Sequence, residues 1–90
     1  MRVKITKSAR RFGYVIWNGA LDSDVRNLIG DVDKIGIVFN QISLGEKSID
    51  WAHHRIYIGT TITRGLGPNQ THFNLERNDK AIEITTIGGS

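Results

Sequence analysis

The strongest constraint on this chain is a two-residue alternation of apolar and polar side chains, which recurs in several separate stretches of its ninety residues. A period of two is the signature of strands with one buried face, so the chain reads as mostly β. Val3 and Ile5 alternate with Arg2, Lys4 and Thr6, and residues 12–17 form a second run rich in aromatic and β-branched side chains. These two stretches predict a basic hairpin or crossing pair of strands joined at Lys7-Ser8-Ala9-Arg10-Arg11. Ile35, Ile37 and Phe39 share one face of a third strand over residues 34–40. A turn at Gly45-Glu46 or its neighbours and a long strand over residues 49–58 follow. Phe73 and Leu75 face Ile82 and Ile84 across a turn at Arg77-Asn78-Asp79-Lys80. The tail Gly88-Gly89-Ser90 reads as frayed.

Only one segment has a convincing helical period. Leu21, Val25, Leu28 and Ile29 recur at helical spacing, Asp22 or Ser23 can cap the start, and Gly30 stands where a C-terminal cap belongs. Residues 59–71 are the least regular. Gly65, Gly67 and the single proline, Pro68, predict a loop there, with a brief strand at Thr61-Ile62-Thr63. The expected architecture is mostly β with one short α-helix: a small β-barrel-like or swapped-hairpin fold with a C-terminal β-hairpin extension. It is a single domain over 1–90, with a basic β-β-α-β part at 2–45 and a β-rich extension at 46–90.

Length limits the chain to one core, and a domain of this size is often marginal by itself, so oligomerisation would help it. There is no cysteine, which excludes a disulfide framework and a thiolate metal site. The longest apolar stretch near the start, Tyr14-Val15-Ile16-Trp17, is too short for a signal or membrane segment. With 39% apolar and 23% charged residues, the chain reads as a soluble cytoplasmic protein without a membrane partner.

Charge is unevenly spread. The first twenty residues carry Arg2, Lys4, Lys7, Arg10 and Arg11 with no acidic side chain, whereas the net charge of the chain is +3. Such a cluster attracts polyanions, phosphate above all. For Arg2 and Lys4 the alternative is the solvated face of an edge strand, where cations discourage aggregation.

A second constellation lies on the expected long strand. Alternation places Trp51, His53, Arg55 and Tyr57 on one face, an aromatic and cationic surface suited to stacking on bases or packing against another protein. The alternative is cross-strand packing around Trp51. Adjacent His53 and His54 point to opposite faces of a strand and cannot chelate one ion, and Asp50, His53 and His72 lack compact ligand spacing. No metal site or cofactor is expected. The carboxylates Asp22, Asp24, Asp31 and Asp33 are explained by caps and turns, so no enzyme is expected either, although Asp50, His53 and Tyr57 are nuclease-type residues. Arg64-Gly65-Leu66-Gly67-Pro68 lacks the lysine and following helix of a phosphate cradle.

The order of strand, basic turn, strand, short capped helix and strand resembles the AbrB/MazE/SpoVT swapped-hairpin group. The matching stretches are Val3-Lys4-Ile5-Thr6-Lys7, Arg11-Phe12-Gly13, Val15-Ile16-Trp17, residues 21–30, and Asp33-Lys34-Ile35. Trp17 stands where that group usually has proline, and the turn at Asp33 lacks the usual glycine. The resemblance implies an interleaved homodimer that binds double-stranded DNA as a transcriptional regulator or antitoxin-like repressor. In that arrangement Arg10 or Arg11 reads guanine, Lys4 and Lys7 neutralise phosphates, and Ser8 and Asn18 add contacts to phosphate or base edges. The competing expectation is a non-enzymatic protein interaction module, a small inhibitor or assembly subunit, using the Trp51–Tyr57 face. Removing Arg10 and Arg11 together is expected to leave the fold intact and abolish nucleic-acid binding.

Overall fold

The computed structural model describes residues 1–88. In chain order the elements are β1 (Arg2–Lys4), α1 (Lys7–Phe12), β2 (Tyr14–Ile16), a 3-10 turn (Gly19–Leu21), α2 (Asp22–Ile29), β3 (Lys34–Phe39), β4 (Ile42–Asp50), β5 (Arg55–Tyr57), α3 (Thr60–Arg64), β6 (Gln70–Asn78) and β7 (Ala81–Gly88). The seven strands form one sheet in the order β1-β6-β7-β3-β4-β5-β2. It curls until β1 and β2, its two edges, come near each other, giving a barrel that is nearly closed. The mostly β, barrel-like expectation therefore holds. Gly89 and Ser90, part of the tail expected to fray, lie outside the described residues. Among the described residues no helix is long and apolar enough to cross a membrane.

The alternation does the work assigned to it. Val3, Val15, Ile35, Ile37, Ile56, Phe73, Leu75, Ile82 and Ile84 all point inward and are buried. Helix α2 covers this core with Val25 and Ile29, at the residues the helical period marked, and the Gly30 amide donates to the Arg26 carbonyl at 2.8 Å. The β6–β7 hairpin also forms as expected, with Leu75 opposite Ile84 and a tight turn at Asp79-Lys80, where Asp79 takes φ 52°.

Four expectations change. The first strand does not pair with the second: β1 runs antiparallel to β6 and β2 antiparallel to β5. The basic turn between them is helix α1. Its sequence, Lys-Ser-Ala-Arg-Arg-Phe, has no β-branched residue, and Thr6 Oγ1 caps the start by accepting from the Ala9 amide at 3.1 Å. Gly13 ends the helix in the left-handed region, φ 82°, as a C-terminal cap. Second, the chain reverses at Asn40-Gln41, not at Gly45-Glu46. Both residues have positive φ, 46° and 71°, as a two-residue hairpin turn requires, and Gly45 sits instead at a bulge in β4.

Third, the long strand is broken by a turn over Trp51 to His54. Asp50 Oδ1 accepts the His53 amide at 3.2 Å, so a side chain replaces the sheet's own hydrogen bonding and starts the reversal, which ends with His54 at φ 56°. Fourth, Thr61-Ile62-Thr63 lies in α3, not in a strand. Its β-branched residues are poor helix formers, but Thr63 is buried and its Oγ1 donates to the Arg10 carbonyl at 2.8 Å, so packing against α1 overrides propensity. The structure thus adds α1 and α3 to the one helix that was expected.

Gly13 is the tightest point of this packing. Its carbonyl accepts from the Ile58 and Gly59 amides at 2.8 and 3.1 Å, and an added Cβ would lie 2.6 Å from the Thr60 nitrogen. Replacing it with alanine combines a backbone clash with a left-handed φ. Gly13→Ala is expected to lower stability by about 2 kcal/mol or more, measured as a fall in the urea midpoint. Gly30→Ala, also at positive φ but with open space around it, should cost less.

Candidate nucleic-acid interface and the aromatic face beside it

Two segments of the chain, residues 1–21 and 51–75, contain seven Lys and Arg and no Asp or Glu. They are far apart in sequence, yet β1 pairs with β6, β2 with β5, and α1 packs on α3. The fold therefore gathers them on one side, and all nine carboxylates belong to the remainder of the chain. Lys4 on β1, Lys7, Ser8 and Arg11 on α1, and Arg64 at the end of α3 are exposed. Lys7 and Arg11 are four residues apart and so share a helix face. Phe12 is 52% exposed beside them, with the Arg11 guanidinium 5.4 Å from its ring centre. Of the adjacent pair Arg10 and Arg11, Arg11 is the one whose guanidinium is exposed and able to meet a ligand.

Arg10 is not. It is half-buried, and its guanidinium donates to the carbonyls of Leu66 (3.4 Å), Gly67 (3.2 Å) and Gln70. This arginine pins the loop over residues 65–70 to α1. The expectation that both arginines can be removed without touching the fold is corrected accordingly: Arg10 holds a loop, and only Arg11 remains on the surface. Asn18 is exposed, and its Oδ1 accepts the Ala20 amide at 2.9 Å, capping the 3-10 turn. That leaves its amide N–H groups without a partner among the described residues.

The aromatic set separates in the same way. The Trp51 indole donates to the Val32 carbonyl at 2.8 Å, meets Trp17 edge-on at 5.9 Å, and carries the Arg26 guanidinium 4.1 Å from its ring centre. It is a packing residue on the α2 side. His53, Arg55 and Tyr57 stay together, joined by Asp50 and by Tyr14, which sequence reading did not single out. His53 Nδ1 lies 2.9 Å from Asp50 Oδ2, and Arg55 Nε donates to the same oxygen at 3.3 Å. Arg55 stacks 4.3 Å over the Tyr14 ring, and Tyr57, 46% exposed, meets Tyr14 edge-on at 5.3 Å. Tyr14 is found only through pairing, because its partner opposite in β5 is Tyr57.

Asp22, read from the sequence as a helix cap, is a hub. It accepts the Trp17 indole N–H at 2.6 Å and lies 2.8 Å from His54 Nδ1, tying α2 to β2 and to the Trp51–His54 turn. The Trp17 hydrogen bond, with the bond and charge of His54 and the charge of Arg26, holds its carboxyl below the usual range against the opposing effect of desolvation. Desolvation raises Asp50, but the His53 ring and amide bonds, with Arg55, outweigh it and keep this carboxyl low as well. Among the described residues no group of His, Asp and Glu is arranged to hold a metal ion. Comparison with protein-family models, with curated proteins and with solved structures finds no match to this chain.

Carboxylates held below their ordinary pKa stabilise the fold above the unfolded-state value, and that contribution is lost as pH falls through the folded-state value. The urea midpoint is expected to be flat near neutral pH and to drop below about pH 4. Asp22→Asn should lower the midpoint at pH 7 and make the drop on acidification shallower. An unchanged acid profile in that variant would remove Asp22 from this role.

Proposed function

We propose that the chain is a non-enzymatic nucleic-acid-binding protein that holds the phosphate backbone with Lys4, Lys7 and Arg64 and presents Arg11 to base edges. The observation that supports this most is the gathering of two carboxylate-free segments on one side of the barrel. Lys4, Lys7, Arg11 and Arg64 make no ion pair among the described residues and keep their full field for phosphate. Arg11 is the better base reader because its planar fork suits guanine O6 and N7 and is not consumed by carbonyls, as that of Arg10 is. Duplex DNA is the proposed target and a small regulator or repressor the proposed role. Ser8 and Asn18 supply neutral donors at the margins of the same surface.

A homodimer would double this surface and suit a two-fold symmetric site. A second reading rests on the exposed Tyr57 with Tyr14, Arg55 and His53, a composition typical of protein interfaces. Salt separates the two, because phosphate contacts weaken steeply with ionic strength and an aromatic protein interface does not.

The test is binding to random-sequence duplex DNA across a salt series, with oligomeric state read by light scattering in the same samples. Lys7→Gln with Arg11→Gln is expected to keep the circular dichroism and melting temperature of the parent. It should bind DNA at least about tenfold more weakly and flatten the salt slope by roughly one unit, for the phosphate contact of Lys7. Arg10→Ala, in contrast, should lower the melting temperature. Unchanged DNA affinity in the folded double variant would refute the proposed surface and move attention to Tyr57.

A further inference from the structure

The barrel is nearly closed but not sealed, and the open seam has the shape and chemistry of a small-molecule site. No backbone hydrogen bond joins β1 to β2 among the described residues, although these edges approach each other. Ladder parity fixes which groups face the gap. Met1 and Leu75 exchange bonds at 2.8 and 2.7 Å, and the Ile5 amide donates to the Thr71 carbonyl at 2.8 Å, so the odd residues of this segment pair with β6 and the backbone of Arg2 and Lys4 turns to the open side. On β2 the Gly13 carbonyl and the Trp17 amide are bonded to Ile58 and His54, which turns the backbone of Tyr14 and Ile16 to the open side.

Between these edges lies a cavity of about 390 Å³, within the range of roughly 300–1,000 Å³ that small ligands occupy. Its apolar wall is Val3, Ile16, Trp17 and Leu21, and its polar side chains are Lys4, Thr6 and Asn18. The polar groups are alike in what they have left to offer. Asn18 Oδ1 is engaged by the Ala20 amide, leaving the N–H2 group, and Thr6 Oγ1 already accepts from the Ala9 amide, leaving its O–H. Lys4 makes no ion pair among the described residues. Three side-chain donors, one of them cationic, stand around an apolar wall that carries no carboxylate.

We infer that this seam binds a small organic carboxylate with an apolar body, the carboxylate meeting Lys4, Thr6 and Asn18 and the body lying against Trp17, Leu21, Val3 and Ile16. An inserted peptide strand is a poorer occupant. Cα atoms of β1 and β2 come within 8 Å of each other, whereas a strand between them needs about 9.5 Å, twice the spacing of paired strands. The seam shares Lys4 and Asn18 with the proposed nucleic-acid surface, but the inference does not rest on that reading.

Octanoate is the probe, with octanamide as its neutral counterpart, each titrated into the 15N-labelled protein. Saturable shifts of the Lys4, Ile16, Asn18 and Leu21 amides by octanoate are expected, with octanamide binding about tenfold more weakly for want of the charge. Lys4→Gln, an exposed substitution whose folding is checked by the same spectrum, should weaken octanoate by a similar factor and leave octanamide unchanged. Shifts that map elsewhere, absence of saturable shifts, or equal affinity for acid and amide would each overturn the inference.

Discussion

The contact on which the rest of the molecule depends is the approach of the Gly13 backbone to Gly59 and Thr60. β1 and β2 are the two ends of the sheet, and α1 is the short bridge between them. A bridge of six residues sets how far apart those ends can be, so whatever fixes α1 also fixes the curl of the barrel. Gly13 does this at the backbone level, by accepting two amides from the chain that leaves β5. Thr63 and Arg10 then extend the attachment, one reaching from α3 to the Arg10 carbonyl and the other from α1 to the 65–70 loop. A side chain at position 13 would push the bridge outward and open the seam that the helices hold narrow.

Charge segregation follows from this topology and is hidden in linear order. The N-terminal cations are visible in the sequence, but Arg55 and Arg64 join their side of the molecule only because strand pairing crosses the chain, β1 to β6 and β2 to β5. The same crossing sorts arginines of similar sequence setting into different roles. Arg10 and Arg11 are adjacent, yet on a helix they point about 100° apart. One turns inward to three carbonyls, and the other stays on the surface beside Phe12.

The alternation of residues 34–39, the helix over residues 22–29 and the β6–β7 hairpin were legible because each has its period written in its own side chains. What was not legible depended on single side chains competing with that period. Asp50 captures the His53 amide and breaks a stretch whose apolar spacing still reads as one strand, which takes Trp51 off the face shared by Arg55 and Tyr57. Helix α1 was concealed because its only buried residue is Ala9, and one small side chain leaves no apolar stripe. Its signals were the caps, Thr6 and Gly13, which a search for periodicity passes over. α3 carried no local signal at all, since Thr-Thr-Ile-Thr favours a strand until Thr63 is given the Arg10 carbonyl to bind. For the candidate site, residue type was readable and partner was not: sequence identified Arg10 as cationic, but only the fold shows that its donors are already used.

The size of the chain suggested that oligomerisation would help it. A nearly closed sheet changes that balance, because curling lets a single protomer bury Phe73, Leu75, Ile82, Ile84 and their neighbours on one inner surface without a partner. Dimerisation is then not required by burial, and any dimer would have to be favoured by what it binds. The free edge of β1 is a poor place for it. Antiparallel pairing of β1 with its own copy would bring Arg2 and Lys4 of one chain against those of the other, and like charges directly opposite are destabilising. The same two cations that protect the edge from self-association leave it attractive to anions, so solubility and the proposed ligand chemistry draw on one set of side chains.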